Sequence, residues 1–393
     1  MTPPRRPDPD GQRALRVIGR SELLPEPVRL RAQAELPFPV TFELSDSIEG
    51  LQRVVSRPDT FDVYHQWHTV DLIWTARCIQ AIDLGRIDGG AEIVAAARAR
   101  IGDVGVIDTV FHKLFVQADG TLGPTPSASI AMLPSVHGVD SFAFHEDLFR
   151  LIDRDEPHSW SWLFDPRWQG RTALIDDPVL GMIEAALATE AGRRTGFGDI
   201  GNLTIDEIDD IAATLIRLRR LGHFRGSWRN FEQAARLMRR GILVQSMFYP
   251  GFVVLQREGV AVHMSDPVEG MRGWHADLCI SSSTRGAMLD AAYAYLNWWQ
   301  GGWGVACLSR QGYYGTLPDR VRPHLSDAEW AYWYGGEPAA EALPDPFGQP
   351  AIPAGHRRSG GSHRERMSRA RVWNTFMDEH TYLMRRWREF MAS

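Results

Sequence analysis

The sequence predicts an α/β protein of two domains, and three observations lead to this prediction. The chain has 393 residues, which is beyond the size at which a single hydrophobic core usually stops growing. Its first part alternates short apolar strands with helices, a pattern typical of a parallel sheet covered by helices on both faces. The same alternation returns in the second half. We therefore expect a central sheet flanked by helices in each domain.

The first part of the chain predicts the order strand, helix, strand, helix, strand. The predicted elements are strand 15–18, helix 27–36, strand 40–44, helix 48–55 and strand 61–64. Ligands of parallel sheets bind beyond the carboxyl ends of the strands. Two predicted ends are therefore candidate contact sites: Arg20 and Ser21 after the first strand, and residues 65–68, which include Trp67 and His68, after the third.

The later elements are marked by helix caps and glycine turns. Thr204 and Glu207 form a capping box that opens a helix, and Ser326 and Glu329 form another. The other predicted elements are helix 231–240, strand 242–248, strand 274–280 returning to the first domain, helix 288–299, a surface loop over 344–363, and one or two amphipathic helices over 364–390.

Composition and charge exclude several classes of protein. The chain is 44% hydrophobic and 23% charged with a net charge of -6, which is ordinary for a globular protein and argues against a nucleic-acid partner. Cys78, Cys279 and Cys307 form no CxxC pair and are expected to be buried core thiols. Nucleophile-elbow, Walker A and HExxH motifs are lacking. We therefore expect no cofactor and no metal.

The segment 159–178 is the most specific motif of the chain, and it reads SWSWLFDPRWQGRTALIDDP. It predicts a short aromatic helix stopped by Pro166, a turn at Gly170, and a buried strand that ends at Asp176 and Asp177. This order resembles the central segment of extracellular solute-binding proteins of ABC importers, in particular the spermidine/putrescine-binding branch. Further matching segments, such as Gly312-Tyr-Tyr-Gly315, extend the resemblance from about residue 15 to residue 387.

The resemblance implies the two-lobed type 2 fold of periplasmic binding proteins, with a ligand in the interlobe cleft. Lobe 1 is expected to comprise residues 15–137 and 274–312, and lobe 2 residues 138–273 and 313–393, with 1–14 as a disordered tail. Binding would close the cleft by hinge motion, and an ABC permease in the membrane would be the partner. The implied protein is a monomeric, periplasmic substrate-binding component that performs no chemistry on its ligand and is not an enzyme.

The resemblance also places four groups of aromatic residues in the cleft. Trp274 falls on the position of a stacking tryptophan and Tyr313 on that of a cleft tyrosine, while Phe248 or Tyr249 falls near another stacking ring. Trp67 follows the third strand, where the family places cleft residues. Each of these rings is otherwise an ordinary core aromatic.

The expected carboxylates fit less well, which puts polyamine specificity in doubt. The acid two residues after the stacking tryptophan is here Ala276, with Asp277 beside it, and the glutamate past the Asp-Asp pair falls within residues 178–180, which carry no acid. Asp177 is either a ligand contact or a helix cap. Arg20 favours a carboxylated or zwitterionic ligand instead. We expect a ligand with one apolar or cationic part on Trp274 and a polar part near Arg20, Ser21 and His68.

Other functions stay open at this stage. A glycosidase needs two carboxylates across a cleft, and the chain has many acids. His65 and His68 have a spacing that binds metal on a helix, but here they follow a strand. The first ten residues lack the apolar region of a secretory signal, although the family is exported. A start further upstream, a trimmed chain and a non-exported small-molecule-binding protein are all compatible with this.

Overall fold

The computed structural model describes residues 13–67, 70–100, 111–193 and 196–393. The strands are β1 (Leu15–Gly19), β2 (Val40–Leu44), β3 (Val63–Trp67), β4 (Ile79–Gln80), β5 (Ile82–Asp83), β6 (Phe115–Val116), β7 (Leu122–Gly123), β8 (Ser129–Ile130), β9 (Leu133–His145), β10 (Thr172–Ile175), β11 (Phe224–Trp228), β12 (Val244–Met247), β13 (Val262–Met264), β14 (Met271–Ser281), β15 (Tyr314–Gly315), β16 (Leu343–Pro344), β17 (Pro350–Ile352) and β18 (Ala370–Trp373).

The α-helices in the described residues alternate with these strands. They are α1 (Glu26–Glu35), α2 (Ser47–Ser56), α3 (Val70–Thr75), α4 (Gly90–Arg100), α5 (Pro178–Arg193), α6 (Ile205–Arg220), α7 (Phe231–Arg239), α8 (Tyr249–Arg257), α9 (Ala287–Gln300), α10 (Trp303–Ser309), α11 (Pro318–Val321), α12 (Asp327–Trp333), α13 (His363–Ser368) and α14 (His380–Ala392). The predicted capping boxes open α6 and α12, and the predicted aromatic helix of 159–178 is a 3-10 helix, Trp160–Phe164.

Two parallel groups of strands lie at opposite ends of one curled sheet. Its strand order is β11-β10-β12-β9-β14-β3-β1-β2. The group β3-β1-β2 is parallel, and so is the group β11-β10-β12. We call the region around β1–β3 the first lobe and the region around β10–β12 the second lobe. The predicted α/β class is thus confirmed. The predicted residue bounds of the lobes stay a prediction.

Strands β9 and β14 connect the two lobes through the middle of the sheet. They pair antiparallel with each other, from Leu133 opposite Leu278 to Asp140 opposite Arg272. The end of β9 then pairs with β12 in the second lobe, whereas the end of β14 pairs with β3 in the first. The two strands together therefore carry the sheet from one lobe into the other.

The third strand lies further along the chain than the sequence predicts. β3 covers Val63–Trp67, so the predicted strand 61–64 is wrong at both ends. All five of its side chains are buried, because protein covers both faces. The polar ones are satisfied internally: His65 Nε2 lies 2.8 Å from Ser135 Oγ, and Gln66 donates to Asp277 at 3.2 Å. Because these polar side chains have buried hydrogen-bond partners, the strand continues through residues 65–67, which the sequence pattern placed beyond its end.

Two predictions near the carboxyl end of the chain also need correction. Residues 344–363 are not simply a surface loop, because they contain β17 and the buried Arg358. The Arg358 guanidinium donates to the Tyr314 hydroxyl and to the Gly312 carbonyl, both at 2.7 Å. The terminal region contains two helices, α13 and α14, which was one of the two predicted alternatives, but the unpredicted β18 lies between them and pairs in parallel with β14. Pairing with a buried strand explains why these residues do not continue a helix.

The core is formed by two apolar clusters. The larger one extends from β1–β3 through the middle of the sheet into part of the second lobe, and the smaller one lies between α5, α6 and α14. Cys78, Cys279 and Cys307 are buried and unpaired, as predicted. The predicted disordered tail falls almost entirely on residues outside the described ones.

Substitution of Gly302, which directly precedes α10, tests how closely this helix packs on α11. Its φ is +84°, and a Cβ there would lie 2.0 Å from the carbonyl oxygen of Arg320. Gly348 has a similar φ of +77° but no neighbouring atom within 4 Å of that position. Both alanine variants strain the backbone by about 1–2 kcal/mol. We expect Gly302→Ala to lose about 2 kcal/mol more unfolding free energy in urea titrations because of the added clash. Equal losses would contradict this packing.

His65 predicts a measurable pH dependence of stability. Burial lowers the pKa of His65 to about 3, compared with 6.5 in an exposed histidine. Below pH 6.5 the unfolded chain takes up a proton at this residue while the folded chain does not, so stability is lost as the pH falls. By pH 5 the loss from this one residue is about 2 kcal/mol. Between pH 7 and pH 5, the unfolding free energy measured in urea titrations should fall less in His65→Gln than in the parent protein. In the control variant His112→Gln, at an exposed position, it should fall as much as in the parent.

Candidate ligand cleft

Four strand ends from the two lobes meet around one cavity. β1 and β2 end side by side at Gly19 and Leu44, and β10 and β11 end side by side at Ile175 and Trp228. The residues that follow these ends line a cavity of about 230 Å³. Its lining residues are Arg20, Asp46, Ile48, Glu49, Gln52, Ile175, Asp176, Asp177 and Arg229. The cavity therefore lies where parallel sheets place their ligands.

Both arginines of the cavity are held by carboxylates. Arg20 is 7% exposed and its Nη2 lies 3.1 Å from Glu22 Oε1. Burial disfavours its charge, but Glu22, Asp177 and Tyr313 together outweigh this effect and hold the pKa of Arg20 above its ordinary value. Arg229 Nε donates to Asp176 at 2.7 Å, and this pairing raises the pKa of Arg229. The guanidinium groups are thus fixed in position by the protein itself.

Two other acids of the cavity lie at helix N-termini. Asp46 caps α2 and accepts the amide of Glu49 at 2.8 Å. Asp177 precedes α5 and accepts the amides of Val179 and Leu180 at 3.0 and 3.1 Å. Asp177 is therefore a helix cap, one of the two alternatives that the sequence left open, and it also lines the cavity. A ligand contact by Asp177 stays a prediction. The cavity thus combines four carboxylates, two guanidinium groups and two helix N-termini.

An aromatic cluster lies next to the cavity and joins the two lobes. The Arg20 guanidinium lies 4.3 Å from the Trp67 ring centre. Trp67 lies 5.5 Å from Trp274 and 5.3 Å from Phe248 between ring centres, and Tyr313 meets Trp274 at 4.5 Å. All four rings are buried. The structure therefore brings together Arg20 and four of the predicted aromatic residues, with protein covering the rings.

The other predicted site residues lie elsewhere or face the protein. Ser21 Oγ donates to Glu22 at 3.2 Å. Tyr249 lies under the guanidinium of Arg358, 4.1 Å from its ring centre. Asp277 is fully buried and accepts from His275 Nδ1 at 2.7 Å; burial raises its pKa. His68 lies outside the described residues. Ligand contacts by any of these residues stay predictions.

A second, apolar cavity adjoins the charged one. It has a volume of about 480 Å³ and lies between α2 and α3 of the first lobe and α5 and α14 of the second. Its lining residues are Ile48, Leu51, Gln52, Val55, Ser56, Leu72, Asp177, Pro178, Val179, Phe376, His380, Thr381, Met384 and Arg388. Ile48, Gln52 and Asp177 line both cavities. We call the larger space the apolar groove.

Asp46, Glu49 and Arg229 were not among the site residues predicted from the sequence. The predicted contact sites follow the first and third strands, whereas Asp46 and Glu49 follow the second strand, β2, which lies beside β1. The N-cap pattern at Asp46 directly after that strand was the available signal. Arg229 follows β11 in the same way.

Comparison with solved structures identifies the fold. The spermidine/putrescine ABC transporter substrate-binding protein PotD from Streptococcus pneumoniae is 12% identical, with a TM-score of 0.60, over 96% of this chain and 99% of that one. The TpPotD lipoprotein of Treponema pallidum is 12% identical, with a TM-score of 0.65, over 97% and 98%. An ABC transporter substrate-binding protein from Bradyrhizobium japonicum is 15% identical, with a TM-score of 0.60, over 97% and 100%.

The chain therefore has the two-lobed fold of periplasmic binding proteins, as the resemblance in sequence implied. No protein-family model matches the sequence, and no curated protein matches it. None of the helices in the described residues is long and apolar enough to cross a bilayer.

The Arg20–Glu22 pair predicts a strong energetic coupling beside the cavity. Removing either partner leaves the other charge buried without its counterion, which costs about 3–5 kcal/mol. Arg20→Met and Glu22→Gln should each show such a loss in urea titrations at pH 7, and the double variant should lose less than the two single losses combined. Purely additive losses would mean that the two side chains do not form this buried pair.

Proposed function

We propose that the protein captures a small solute reversibly between its lobes and serves as the substrate-binding component of an ABC importer. One observation carries the proposal: the charged cavity is lined by residues of both lobes, at the carboxyl ends of strands from each. A ligand there contacts both lobes at once. Its binding free energy therefore favours lobe closure over the open form.

The solute class that we propose is a small polar or amine-containing molecule. The cavity combines fixed guanidinium groups with carboxylates, and Arg20 stacks on an aromatic ring. Charged groups that the protein holds in place lose little entropy when they bind a ligand. A volume of about 230 Å³ suits a small molecule or the head of a larger one.

A hydrolytic function is supported less well by the same residues. A glycosidase requires one carboxylate as an acid and a second as a base or nucleophile. Here Asp176 is paired with Arg229, and Asp46 and Asp177 accept helix amides. Each of these carboxylates is therefore already engaged by a group of the protein itself. The arrangement favours holding a ligand over donating a proton to it.

The proposal includes a membrane permease as partner and a periplasmic location. Solved structures of similar fold are described as ABC transporter substrate-binding proteins, and this description supports both points. In such a system the permease would recognise the closed form of the two lobes.

The test combines a solute screen with a measurement of shape. Thermal shift assays with amino acids, betaines, amines, polyamines and sugars should identify a binder, and small-angle scattering should then show a smaller radius of gyration. Mass spectrometry should recover the solute unchanged. If no solute shifts the melting temperature and the radius stays constant across the panel, the proposal fails; a chemically altered solute would favour the hydrolase.

A pair of matched variants locates the binding site. Glu49 lines the cavity and Glu337 does not, and both are exposed. Glu49→Gln should weaken binding of an amine about 5- to 10-fold in isothermal titration, since it removes one partly exposed opposite charge. Glu337→Gln should leave the affinity unchanged. Equal affinities for both variants would place the binding site elsewhere.

A further inference from the structure

We infer that the solute is an amphipathic monoamine, whose ammonium group occupies the charged cavity and whose hydrocarbon part lies in the apolar groove. This inference rests on the proposed function and names its substrate class. It is based on two adjoining cavities with shared walls and on the net charge of the smaller one.

The two cavities are direct neighbours. Ile48, Gln52 and Asp177 line both of them, so one ligand that extends past these three residues would occupy both. The walls of the groove also come from both lobes: Leu51 and Val55 lie on α2, whereas Val179 lies on α5 and Met384 on α14. Lobe closure would therefore narrow the groove and the charged cavity together.

The charge of the smaller cavity favours a cation over an anion. Four carboxylates line it together with two guanidinium groups, and Glu22, outside the lining, is already the counterion of Arg20. The N-termini of α2 and α5 point to this cavity, and each contributes about half a positive charge. Negative charge stays in excess after these contributions. An ammonium group reduces this excess, whereas a carboxylate would increase it.

The groove does not suit the second amine of a polyamine. Most of its lining is aliphatic or, at Phe376, aromatic, and the polar residues Gln52, Ser56, His380, Thr381 and Arg388 complete it without adding a carboxylate. Asp177 is the only carboxylate among the described residues that line it, and this side chain already caps α5. A second ammonium group in the groove would lose water without gaining a counterion, and this is unfavourable. A hydrocarbon chain gains free energy from the same surface.

The volume of the groove sets the scale of the hydrocarbon part. About 480 Å³ lies within the range of pockets that bury most of a small ligand. Burial of each methylene group is worth about 0.8 kcal/mol, which corresponds to about a fourfold gain in affinity. The affinity of linear amines should therefore rise steeply with chain length.

The experiment is isothermal titration of the full chain with n-butylamine, n-hexylamine, n-octylamine, octanoate, putrescine and spermidine. We expect octylamine, with four more methylene groups, to bind about 200-fold more tightly than butylamine, and more tightly than octanoate or either polyamine. The inference is overturned if affinity does not rise with chain length, if octanoate binds as tightly as octylamine, or if spermidine binds more tightly than octylamine.

Two variants separate the two parts of the site. Val55→Asp places a charge in the groove at a residue that is 40% exposed, so the fold should tolerate it. It should abolish the gain with chain length and leave butylamine binding nearly unchanged. Glu49→Gln should weaken every amine by the same factor. Leu151→Asp, at an exposed position outside both cavities, is the control and should bind like the parent. An unchanged chain-length series in Val55→Asp overturns the inference.

The outcome for the proposed function can be read separately. If none of the amines binds but another solute of the screen binds and reduces the radius of gyration, the inference of an amphipathic monoamine is wrong and the proposed solute-binding function stands. If no compound binds and the radius stays constant, both are wrong.

Discussion

Residues 133–140 of β9 pair with residues 272–278 of β14, and both lobes are attached to this pair of strands. The backbone hydrogen bonds of the pair are buried, and neither strand can shift by one residue without turning its apolar side chains to the wrong face. The relative position of β1, β2, β10 and β11 follows from this register. The cavity exists because these four strand ends face one another.

A group of buried charges lies where the two strands enter the second lobe. Arg272 of β14 donates to Glu184 of α5 at 3.1 Å and to Asn374 at 2.9 Å, and Asp140 of β9 lies 3.9 Å away. Burial raises the pKa of Glu184 to about 7 and that of Asp140 to about 6, although Arg272 acts in the opposite direction. Such a pair adds little net stability once desolvation is included. Its effect is to fix α5, whose N-terminus carries Asp177, against the connecting strands.

Much of the fold could be predicted from the sequence because its signals are local. The capping boxes at Thr204 and Ser326, the strand over 172–175 and the three buried cysteines depend on residue type and spacing alone. The course of β3 could not be predicted in this way. Its His65 and Gln66 are buried because Ser135 and Asp277, far away in sequence, satisfy them. Likewise, β18 pairs with the first residues of β14, 271–273, which lie outside the part of β14 that pairs with β3.

The candidate site could be predicted only in part, because the residues that meet there are brought together by strands far apart in sequence. Arg20, Trp67, Phe248, Trp274 and Tyr313 come together in the structure, and Asp177 lines the cavity. Asp46 and Arg229 were missed because their relevance depends on which strand ends lie beside β1 and β10. Tyr249 directly follows Phe248 in the sequence, and Asp277 lies three residues after Trp274, but neither side chain joins the aromatic cluster. In a strand or at a helix start, however, adjacent side chains point in different directions.

The central claim is that the two lobes move relative to each other around the connecting strands when a solute binds. Spin labels at Leu30→Cys in the first lobe and Leu221→Cys in the second, both exposed, measure this movement directly by pulsed electron resonance. The native cysteines are buried and should not be labelled. With a solute bound, the distance between labels should shift and its distribution should narrow, whereas a pair at Leu30→Cys and Asp290→Cys, both on the first lobe side, should not change. A constant distance between the lobes, with the solute shown to be bound by titration, would contradict the account.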